Sequence, residues 1–203
     1  MSSFLRAYLV DPAELRARVG SGNDGAVEEA LAYFGPSLDR SDEHFADEIA
    51  QGAPTALEAL RAVVHGGPFS EDEDHAFQYG YAYRRLCWLV GQPLEVDSFG
   101  PFRGNWLEVV DEGLEAYGVT AVSVADFQYR GGLPAGLPSC DVPSCGTWSA
   151  EDCRTALERF ERAECEGRAP APEREVAEAV AEVVGWLRLA RHRGDGDIVG
   201  FVS

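Results

Sequence analysis

The residue types most able to do chemistry gather first in the loop Cys140-Asp141-Val142-Pro143-Ser144-Cys145, with Cys153 beyond it. A thiolate is a good zinc ligand. Zinc cysteines, however, pair at short spacing and need a second pair or a histidine pair downstream, which this chain lacks. The Cys-x-x-Cys spacing of a redox motif is missing as well. The remaining readings, in order, are unpaired thiols, a labile disulfide and a metal site.

A second group joins carboxylates to imidazoles. Asp42, Glu43, His44, Asp47 and Glu48 form one run, and Glu71, Asp72, Glu73, Asp74 and His75 form another. His44 and Glu48, like Glu71 and His75, are spaced one helical turn apart. Paired helices offering carboxylate and imidazole can hold a divalent metal in a bundle, with Glu-x-x-His on two helices as the signature. That signature is absent, so no metal and no cofactor are expected. Acidic residues in a first helical turn are ordinary, because the helix dipole favours them there. As surface patches, Asp42, Glu43, Asp47, Glu48, Glu71, Asp72, Glu73 and Asp74 are the candidates for contacting a partner.

The third group is aromatic. Tyr79, Tyr83, Trp88, Trp106 and Trp148, with His75, are candidate ligand-binding residues for a cleft between a helix and two long loops. Plain core packing competes with that reading. Nothing selects a catalytic residue. No Gly-x-Ser-x-Gly elbow occurs, and Gly20-Ser21-Gly22 lacks the rest of a phosphate loop. Cys87 reads as a buried small hydrophobe.

The elements that must position these groups are mostly helical. Ser70 to Gly91 reads as one long helix, about 71–90, with Ser70 as cap, acidic residues in its first turn and Gly91 at its end. Its apolar residues lie on most sides, so it is expected to be central, with other helices around it. Before it, Asp11 caps a helix that stops at Gly20. Further helices are expected over 25–34, broken at Gly35-Pro36, over 42–51 behind a Ser41 cap, and over 54–65. After it come helices over 106–117, 123–129, 149–166 with Ser149 and Asp152 as a capping box, and 173–193. The last carries Val176, Val180, Val183, Val184 and Leu187 toward a core. Residues 131–148, rich in glycine and proline, read as the longest loop, and 167–172 as an internal linker.

Phe4 to Val10 and Asp197 to Val202 read as strands. An isolated strand cannot satisfy its backbone. The two are therefore expected to pair, or to share a small sheet with Val119 to Val122. The predicted fold class is α+β, predominantly α-helical, in a single domain over 1–203.

The chain has 203 residues and a formal net charge of -18, from 17 basic and 35 acidic residues. Charge this negative argues against nucleic acid or an anionic membrane as partner and permits a basic protein or a cationic ligand. No apolar run is long enough to span a bilayer. The first residues lack the pattern of a secretory signal. A cytoplasmic setting is therefore expected, where disulfides among the five cysteines are not.

Ala7-Tyr8-Leu9-Val10-Asp11, Tyr79-Gly80-Tyr81-Ala82 with Leu86-Cys87, the Leu137-Pro138…Pro143…Gly146 loop and Asp197-Ile198-Val199-Gly200-Phe201 resemble an uncharacterised family of small cytosolic actinobacterial proteins. The resemblance implies a fold and a cytosolic setting and brings no catalytic residues with it. The leading functional expectation is a non-enzymatic, protein-binding domain of immunity or regulatory type. The alternatives are a small-molecule-binding or enzymatic domain using the aromatic cleft, and a metal-binding protein.

Overall fold

The computed structural model describes residues 2–129, 132–168, 173–194 and 196–203. In chain order the first half holds β1 (Leu5–Val10), α1 (Pro12–Arg16), α2 (Asp24–His44), α3 (Ala46–Ala50), α4 (Ala56–His65) and α5 (Ala76–Val90). The second half holds β2 (Gln92–Pro93), α6 (Trp106–Ala116), α7 (Asp126–Tyr129), β3 (Ser144–Trp148), α8 (Ala150–Cys165), α9 (Arg174–His192) and β4 (Asp197–Val202). The fold is α+β and mostly α. Its contacts divide it into two compact units. The first comprises the described parts of 1–10, 92–131 and 145–203, and the second 11–91 and 132–144.

The first unit is built on a four-stranded sheet in the order β2-β1-β4-β3. As expected, the end strands pair. β1 and β4 run antiparallel in register from Leu5 opposite Val202 to Val10 opposite Asp197. Val119 to Val122 form no strand; Val119 and Val122 are buried in the hydrophobic core beside α6 and α9 residues. The remaining strand is β3, inside the stretch expected to be loop. Gly146 is the reason it was hidden. A Cβ there would stand 2.7 Å from the Asp126 carbonyl oxygen and 2.9 Å from Phe127 Cα, so the strand needs glycine where α7 lies against it. α8 opens on the expected capping box. Ser149 Oγ accepts the Asp152 N–H, and the Asp152 carboxylate accepts the Ser149 N–H. On α9 the expected Val176, Val180, Val183, Val184 and Leu187 are all buried. Of the expected linker, 169–172 lie outside the described residues.

The second unit is helical. α5 packs on α1, α2 and α4 and buries Tyr79, Gly80, Ala82, Tyr83, Leu86 and Cys87. Boundaries here differ from the sequence reading. α2 does not break at Gly35-Pro36 but runs on to His44. Proline inside a helix costs about 3 kcal/mol. Burial of Ala30, Phe34 and Leu38 along one face outweighs that cost. The helix expected over 42–51 is accordingly divided. Phe45 leaves helical geometry, with ring contacts to Phe77 and Tyr81, and α3 is a short remainder. Most consequential, Ser70 does not cap α5. A 3-10 turn over Glu73–His75 comes first, capped by Asp72, and α5 begins at Ala76.

Gly146→Ala is expected to destabilise the chain by about 1–3 kcal/mol through overpacking. Gly185→Ala, on α9 with nothing within 4 Å of the new methyl, is expected to stabilise it by roughly 0.4–1 kcal/mol. Denaturant midpoints of both variants check the pair. Equal shifts of one sign would show that β3 is not held against α7.

Candidate functional site

In the second unit the turn before α5 and the loop 138–141 face each other across a cavity of about 510 Å³. Glu71, Asp72, Glu73 and Asp74 line it from the turn, and Asp141 from the loop, with Ser70, Ser139 and Cys140 between them. None of its described lining residues is basic. Carboxylates gathered without a countercharge raise a negative potential that a cation relieves.

Gly80 sets the distance between the walls. A Cβ there would stand 2.8 Å from Cys140 Sγ and 3.1 Å from Pro143, so only glycine on α5 lets the loop lie this close. The other wall is fixed by Tyr79, which is 3% exposed. The Ser70 N–H donates to its hydroxyl at 2.7 Å, and Phe69 packs edge-on against its ring. With its backbone held, Ser70 directs Oγ at His75 Nδ1, 2.9 Å away. The same Oγ accepts the Asp72 N–H at 3.1 Å. His75 Nε2 lies 3.8 Å from Asp72 Oδ2, an electrostatic contact too long for a hydrogen bond. The His75 side chain is 13% exposed, and a Cβ on Gly52 would touch its Cε1 at 3.4 Å.

Several residues singled out in the sequence meet here. Glu71, Asp72, Glu73, Asp74 and His75 share the site, with Tyr79 supporting it. Their roles differ. Asp72 is engaged as the cap of the 3-10 turn, through Asp74 N–H, whereas Glu71, Glu73 and Asp74 are exposed. Of the other acidic run, Glu43, Asp47 and Glu48 are exposed. Asp42 is occupied inside the unit. Its Oδ1 accepts the Ala56 N–H at the start of α4. It also offsets the charge of Arg85, whose guanidinium burial pushes down to about 10.

Among the aromatic candidates, Tyr83 is buried on α5, while Trp88 is 42% exposed with an edge contact to Phe34. Trp106 and Trp148 belong to the first unit. There Trp106 Nε1 donates to the Ser98 carbonyl and Trp148 Nε1 to the Ser123 carbonyl, and Trp148 stacks on Phe127. Among the described residues no disulfide joins the cysteines. No group of three or more potential metal ligands forms among the described residues. Sequence reasoning missed Ser70 as a chemical group, because a serine ahead of acidic residues reads as a helix cap. The signal available was Ser70, Asp72 and His75 within a few residues of one another.

An α+β, mostly helical fold with an acidic cavity beside one helix is thus the class of structure in hand. The chain belongs to the family described as Domain of unknown function (DUF7691), whose model matches residues 1–203. No curated protein and no solved structure matches it.

Burial, with the neighbouring Asp141, pushes the Cys140 thiol up to about 11. It therefore stays protonated and weakly nucleophilic at neutral pH. Exposed Cys165 is expected to react with iodoacetamide first at pH 8, with Cys140 resisting until the pH approaches 11. Peptide mapping by mass spectrometry reads the order, and Cys140 alkylated ahead of Cys165 would contradict it.

Proposed function

We propose that the chain acts by recognising a basic protein partner through the carboxylates of its second unit, as an immunity-type or regulatory domain. The observation that carries this reading is the cavity in which Glu71, Glu73, Asp74 and Asp141 converge with no basic residue among its described lining. A lysine or arginine side chain entering it supplies the countercharge. Glu43, Asp47 and Glu48 add a further exposed acidic surface in the same unit, and the formal net charge of -18 extends the attraction over the molecule. Such fields speed encounter and favour partners of opposite sign. No helix among the described residues is long and apolar enough to cross a membrane.

The test is affinity capture from the native organism followed by association kinetics with the captured partner. The Debye length falls from about 10 Å at 0.1 M salt to 3 Å at 1 M. The association rate is expected to fall steeply over that range while dissociation changes less. Reversal of Glu71, Glu73 and Asp74 to Arg is expected to slow association without unfolding the chain, since these side chains are exposed and Asp72 keeps its cap. Association indifferent to both salt and reversal would leave the acidity as a solubility device.

A further inference from the structure

The geometry points to Ser70 as a nucleophile, with His75 as its general base, able to transfer acyl groups from cationic esters or amides. Side chains of a nucleophile and a base within hydrogen-bond reach, with the base oriented by a third group, define an activated nucleophile. Ser70 Oγ and His75 Nδ1 meet that condition at 2.9 Å. Asp72 stands as the third group at 3.8 Å from Nε2, acting through its charge and not through a hydrogen bond. The proton arrangement is consistent. Nδ1 accepts from the Ser70 hydroxyl when the imidazole proton is on Nε2, the nitrogen that faces the Asp72 carboxylate. The Asp72 N–H occupies one acceptor position of Oγ and so helps to orient the hydroxyl toward Nδ1. Tyr79, as a positioning residue, fixes the Ser70 backbone, and Gly52 leaves room for the imidazole. Ser70 also lines the cavity, so a substrate carbonyl can reach Oγ.

The step balances without any further reagent than water. Oγ forms a bond to the acyl carbon as its proton passes to Nδ1, and the carbonyl π electrons move to oxygen. Collapse of that intermediate breaks the bond to the leaving group, which takes the proton from Nδ1. Water then adds to the acyl-serine with the same nitrogen as base, and the proton returns to Ser70, releasing an acid. The walls set the substrate class. A negative oxygen forming among Glu71, Glu73, Asp74 and Asp141 is destabilised unless the substrate brings positive charge close to its carbonyl. An acyl group bearing an ammonium or guanidinium does so. This choice of substrate rests on the cation-recognising reading above; the nucleophile does not.

The experiment treats the full chain with 4-nitrophenyl 4-guanidinobenzoate and, separately, with 4-nitrophenyl acetate. Phenolate release is followed and the acylated peptide is located by mass spectrometry. Expected is a burst approaching one phenolate per chain with the cationic ester, with the adduct on Ser70. His75→Gln is expected to slow the burst by about 100-fold or more, the usual contribution of a positioned base. Ser70→Ala also removes a turn contact, so the adduct site on the unaltered chain is the deciding reading and needs no variant. No burst, or an adduct on another residue, overturns the proposal. A burst of equal rate from both esters, with the adduct on Ser70, upholds the nucleophile and counts against cation recognition by the cavity.

Discussion

The pairing of β1 with β4 is the constraint on which the first unit depends. It joins the two ends of the described chain through a full register, Leu5 opposite Val202 to Val10 opposite Asp197. Both remaining strands attach to this pair, β2 to β1 and β3 to β4. Closing so long a loop is less costly than it looks, because each doubling of loop length adds only about 0.6 kcal/mol. Burial recovers it: Leu5, Ile198 and Phe201 are fully enclosed. The stretches between these strands are free to form the second unit, and that unit carries the acidic cavity.

The cavity itself rests on contacts made by α5. Glycine at position 80 admits the 138–141 loop, and the Tyr79 hydroxyl holds Ser70 on the opposite side. Small and large neighbours on one helix thus determine the spacing of two otherwise irregular segments. Placing carboxylates on such segments costs less than placing them in a core, because they stay hydrated until a cation arrives.

Much of the fold was legible from local signals. Ser149 with Asp152 announced α8, and Asp11 with Pro12 announced α1. The valines of α9 showed its buried face. What could not be read depended on distant partners. Pro36 ends a helix in isolation, but burial of Phe34 and Leu38 carries α2 past it. Gly146 looks like a loop residue until α7 is seen lying against it. Ser70 offered the signal of a helix cap, and only the 3-10 turn at Glu73–His75 swings His75 onto its hydroxyl. The acidic runs were visible as charge. That Asp42 is taken up by Ala56 and Arg85 while Glu71, Glu73 and Asp74 converge with Asp141 was not.

Recognition of positive charge by this cavity is the central claim, and amide chemical-shift mapping tests it most directly. The full chain, labelled with nitrogen-15, is titrated with a short arginine-rich peptide at 0.15 M salt. Saturable shifts confined to Ser70–Ala76 and to 138–141 are the expected result. Shifts spread evenly over the acidic helices, including Glu151, Glu158 and Glu164 on α8, would contradict it and reduce the attraction to undirected surface charge.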